Sequence, residues 1–153
     1  MSFIEAIESG WAKCFQYSGR ASRAEFWWFF LFATLVRFVF GFVRMSVQNM
    51  PTALLSVMIS LIVLVPTIAV QVRRLHDVGH SGWLVVVLWV LIGALIMTSM
   101  RWERLVALRQ ATTSFEVVLL FVAFATAVTW LRILFLMIKR GDAGENRYGP
   151  PVM

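Results

Sequence analysis

Ala53–Val72 reads ALLSVMISLIVLVPTIAVQV, twenty residues without a single charge. At ~1.5 Å of rise per residue, a helix of that length covers about 30 Å, the hydrocarbon thickness of a bilayer. A domain of 153 residues has no interior in which to hide such a run, so lipid must cover it. Pro51 sits where the helix would begin, and its missing N–H costs nothing there. Pro66 falls inside the run and predicts a kink with a freed carbonyl around residue 62.

Working outward, three more runs of this kind appear, at about 26–43, 83–100 and 115–138. The first, FWWFFLFATLVRFVFGFV, carries Trp27 and Trp28 as interfacial anchors. Composition agrees: 60% of the residues are hydrophobic and 14% charged, against about 25% charged in a soluble domain. Capping boxes are expected at Ser2-x-x-Glu5, Ser22-x-x-Glu25 and Thr113-x-x-Glu116, and Lys139-Arg140-Gly141 closes the last run. The N-terminal MSFIEAIESGW contains Glu5 and Glu8 and lacks the basic leader of a signal peptide. Residues 2–16 place Phe3, Ile4, Ile7, Trp11, Cys14 and Phe15 at helical spacing, which predicts an amphipathic helix lying in the interface. The expected fold is therefore an all-α membrane protein. It forms one domain over 1–153, with four transmembrane helices, the interfacial helix and a tail over 139–153.

Basic residues orient it. With four spans, Lys13, Arg20, Arg23, Arg73, Arg74, Lys139, Arg140 and Arg147 share one side, while Arg44, Arg101, Arg104 and Arg109 lie on the other. Eight against four predicts cytoplasmic N- and C-termini. The net charge of +6 is accounted for by these flanking positions. No basic face with interleaved aromatics exists to bind nucleic acid; membrane lipids are the expected partners, with a second copy or another membrane protein besides.

Three polar segments gather on the cytoplasmic side. Ser18–Trp28 reads SGRASRAEFWW, Arg73–Trp83 reads RRLHDVGHSGW, and Gly144–Pro150 reads GENRYGP. In this order they resemble the signatures of a bacterial inner-membrane family known as domain of unknown function 805. The resemblance covers nearly the whole chain and implies a small multi-span protein of the cytoplasmic membrane; it implies no reaction, substrate or catalytic residue. One departure is a long, basic third loop over Arg101–Ser114.

The candidate site is the set Arg20, Arg23, Arg73, Arg74, His76, Asp77, Glu145 and Arg147, all on one face at helix ends. It reads either as an ion-pair network docking turn, loop and tail, or as a pocket for an anionic headgroup or a partner, since arginines outnumber acids. His76 and His80 lie four apart and could share a metal on a helix, but Gly79 and Gly82 favour a turn, and no cofactor or metal is expected. The single cysteine, Cys14, can form no intrachain disulfide. Nucleophile–base pairs, twin carboxylates and phosphate loops are lacking, so no catalytic residue is assigned. Two arginines fall within spans. Arg37 is expected to snorkel outward or meet Glu116, and Arg132 to reach Glu25 or Asp77. As an alternative, these two would serve a small oligomeric transporter or channel component.

Overall fold

The computed structural model describes residues 1–108 and 113–152. Five helices follow in order: α1 (Phe3–Ala12), α2 (Arg23–Ser46), α3 (Met50–Asp77), α4 (Trp83–Ala107) and α5 (Thr113–Ile138). The last four are long and apolar enough to cross a membrane. No strand occurs among the described residues, only an isolated bridge between Asn146 and Gly149.

Two compact units result. One comprises Met1–Gly82 with Met137–Met153, the other Trp83–Leu136. In the first, α2 and α3 pack against each other and both meet α1. Phe26, Phe29 and Ala33 are buried on α2, and Ser56, Val63, Thr67 and Val70 on α3. Their spacings of three, four and seven residues follow the helical repeat. Lipid tails are as apolar as these side chains, so close packing rather than escape from water holds the pair. In the second unit, only 11% of the most apolar window of α4 or α5 is buried, so most of both surfaces is left for lipid.

Helix ends depart from the expected spans. Asn49 caps α3, accepting from the Thr52 N–H at 3.0 Å, which shortens the first connection to Val47–Asn49. At the other end α3 continues past residue 72 to Asp77, carrying Arg73 and Arg74 as its last turn. The long third loop is also shorter than expected, because α4 runs on through Arg101 and Arg104 to Ala107; Arg109 lies outside the described residues. Helix α5 already includes Thr113, and the residue before it is likewise outside them.

Helix α1 has the expected capping box: the Ser2 N–H donates to Glu5 Oε2 at 2.9 Å and Ser2 Oγ accepts from the Glu5 N–H. It ends at Ala12 rather than residue 16. Of the apolar face read in the sequence, Phe3, Ile7, Trp11 and Cys14 are half-buried. Ala6 and Gly10 are covered, while Ile4 is 68% and Phe15 78% exposed. Small residues let the helix lie close on α2: a Cβ on Gly10 would overlap the Phe29 ring.

Candidate functional site

Every residue from Val72 to Val78 is buried, with Arg73 and Arg74 among the most enclosed side chains of all. A buried guanidinium is tolerated only where its charge and its five N–H donors find partners. Arg73 reaches towards α1. It donates to the carbonyls of Lys13 at 2.8 Å and Gln16 at 2.7 Å, just past that helix's end, and pairs with Glu25 Oε1 at 3.2 Å. Arg74 reaches the other way, to the carbonyls of Met137 and Lys139 at the end of α5, and pairs with Asp77 one turn along α3. Carbonyls at helix C-termini lack intrahelical donors and carry partial negative charge, so each arginine caps a helix other than its own.

Arg20 completes the set from the loop before α2. Its guanidinium lies 2.8 Å from Asp77 Oδ1 and donates to the carbonyls of Gly144 at 2.8 Å and Gly149 at 3.3 Å, and to that of Asp142. Asp77 is thus held between Arg20 and Arg74, and its own carbonyl accepts from the Asp142 N–H at 2.8 Å. The tail must come this close: a Cβ on Gly141 would stand 2.6 Å from Asp77 Cγ. The tail then turns between Asn146 and Gly149, and Asn146 Nδ2 donates to the His76 carbonyl at 3.0 Å. Tyr148 lies flat on His76, ring centroids 3.7 Å apart, and the Arg147 guanidinium stands 4.7 Å above the Tyr148 centroid. Three guanidiniums therefore face two carboxylates, and carbonyl oxygens take up most of the remaining donors, the buried Arg73 Nε having no partner among the described residues.

Arg20, Arg73, Arg74, His76 and Asp77 of the expected set thus converge. Arg147 joins as an exposed stack with its Nη2 3.5 Å from the Gly79 carbonyl, and Glu145 is exposed and enters no ion pair among the described residues. Arg23 is exposed beside the cluster. The acid missed by sequence reasoning is Glu25. The Ser22 hydroxyl accepts from its N–H at 3.1 Å, as the cap requires. Its carboxylate does not close the box, however; it turns to Arg73 and accepts from Ser9 Oγ at 3.1 Å. Asp142 and Asn146 were also missed, and only their place in the glycine-rich tail hinted at a turn.

Over this cluster lies an open depression of about 740 Å³, to which Arg23, Arg140, Arg74, Asp77 and Asp142 contribute. Arg23 and Arg140 are exposed there, and neither makes an ion pair or hydrogen bond among the described residues. His80 lies beyond the turn at Gly79, off the helix that carries His76. Among the described residues no three His, Cys, Asp or Glu side chains are grouped to hold a metal.

The intramembrane arginines differ from expectation as well. Arg37 does not turn outward: its Nη2 lies 3.5 Å from Thr67 Oγ1 on α3. Arg132 is exposed, and the acids proposed for it are already engaged by Arg73, Arg20 and Arg74.

Four helices of this length and apolarity define a polytopic α-helical membrane protein. The chain belongs to the family described as Protein of unknown function (DUF805), which it matches over residues 14–150. Among its relatives is the Inner membrane protein YhaI of Escherichia coli (strain K12), 28% identical over 133 residues, 87% of this chain and 82% of that protein. Inner membrane protein YhaH of the same organism is 28% identical over 137 residues, covering 88% and 84%. Uncharacterized protein YiiR, also from that strain, is 30% identical over 139 residues with the same coverage. No solved structure matches the chain.

Proposed function

We propose that the protein is a non-catalytic structural and interaction module of the bacterial inner membrane whose cytoplasmic face binds anionic lipid headgroups. The observation that carries this reading is how the arginines divide. Arg20, Arg73 and Arg74 are spent on carboxylates and helix-end carbonyls, so they lock the fold and are not free for a ligand. Arg23 and Arg140 stay exposed around the 740 Å³ depression, where a headgroup phosphate would complete their hydrogen bonding. The relatives named as inner membrane proteins support the address. The basic bias supports cytoplasmic termini. The exposed Ile4 and Phe15 support an α1 that rests its uncovered side in the interface.

Each arginine near an anionic surface contributes about 1 kcal/mol. Replacing both Arg23 and Arg140 with Ala should therefore weaken the preference of reconstituted protein for phosphatidylglycerol over phosphatidylcholine about thirtyfold, with thermal stability unchanged. A double variant that keeps its lipid preference would refute the headgroup reading.

A further inference from the structure

We infer that Arg37 is an assembly point, the docking site for a transmembrane helix of another protein that carries a carboxylate at the middle of its apolar stretch. Depth comes first. Arg37 lies fourteen residues beyond Arg23, the first residue of α2, about 21 Å along the axis. Its guanidinium points back to Thr67, ten residues before the last residue of α3, or about 15 Å from that end. The charge is therefore held inside a ~30 Å hydrocarbon layer, turned away from the headgroup region beyond Ser46.

Its partners are insufficient. Thr67 Oγ1 already donates to the Val63 carbonyl at 2.6 Å and offers Arg37 one long contact. Neither this chain nor a second copy can bring an acid to that depth. Glu25 and Asp77 are engaged at helix ends. Glu103 lies within five residues of the end of α4, and Glu116 in the first turn of α5. The other four acids of the chain, Glu5, Glu8, Asp142 and Glu145, fall outside the spans. A charged group within the bilayer is retained where it pairs, and the carboxylate must come from elsewhere.

Room for a helix is present beside it. Gly41 lies one turn beyond Arg37 on the same stripe of α2, and a Cβ there would meet nothing within 4 Å. It opens on a depression of about 650 Å³ that Arg44 and Ala53 also line. The buried residues of α2 all lie between Glu25 and Ala33, and Val36, Arg37, Phe40 and Gly41 beyond them are only half-buried. A glycine one turn from the charge, with no atom where its Cβ would stand, permits the close backbone approach by which membrane helices associate.

The test reconstitutes the full chain in phosphatidylcholine vesicles with a synthetic Leu/Ala transmembrane peptide bearing one central Asp, and reads association by energy transfer. The expected result is at least tenfold tighter association than with Leu in place of the Asp. Arg37→Gln should abolish that preference, Arg37→Lys should keep most of it, and Gly41→Leu should weaken association with the charge intact. Equal association of the Asp and Leu peptides overturns the inference, as does a preference that survives Arg37→Gln. Self-association that needs Arg37 without any peptide, or Arg37-dependent chloride flux across the vesicles, overturns it too. Should Arg37→Gln fail to fold, the two peptides on the native chain and the Gly41→Leu variant still decide.

Discussion

At the residue scale, Asp77 carries the most consequence, because two buried guanidiniums depend on its carboxylate. Removing one member of a buried pair leaves an uncompensated charge and costs about 3–5 kcal/mol. Asp77→Asn should therefore lower thermal stability in detergent sharply, whereas Glu145→Gln, on an exposed residue, should stay within about 0.5 kcal/mol of the parent. Gly10→Ala forces a methyl into Phe29 and should cost about 1–3 kcal/mol by overpacking, read in the same melts. The sequence made the arginines and Asp77 legible as one cluster, since like groups stood at the ends of spans that topology brings together. Glu25 escaped because a capping role accounted for it locally. Glu145 was chosen on charge alone, although the tail's turn presents Asp142 and Asn146 instead.

At the element scale, four helices and their order were readable from hydropathy, but their ends were not. A hydropathy window stops at the first charges, while α3 continues because its charged last turn finds carbonyls and carboxylates to satisfy it. On α1 the most covered positions are the small Ala6 and Gly10, which apolar spacing does not single out because it marks a face that avoids water rather than the one closest to protein. Its cap yields a pH prediction. Hydrogen bonds from the Ser2 backbone, and then from its side chain, hold the Glu5 carboxyl below the usual glutamate range. A group whose folded value is depressed stabilises above its unfolded value and loses that contribution as pH falls through the folded one. Nuclear magnetic resonance titration should find the Glu5 midpoint below that of an unstructured glutamate, with Ser2→Ala moving it part of the way back.

At the scale of the whole molecule, the four spans and the eight-to-four basic bias make orientation testable by reporter fusions. Fusions at Gly141 and within Gln48–Pro51 should report opposite sides of the membrane, with Gly141 cytoplasmic; the same side for both would contradict the topology. The cluster at Asp77 also has a consequence for biogenesis. Its parts come from residues 13–25, 73–77 and 137–149, so it cannot form until synthesis has passed the glycine-rich tail. A nascent chain halted before Met137 inserts Arg74 with no acceptor beyond Asp77, and Arg20 waits for the tail carbonyls as well. The tail residues therefore act as a seal on insertion, and a chain that stalls before them or inserts α5 incorrectly leaves these arginines unsatisfied.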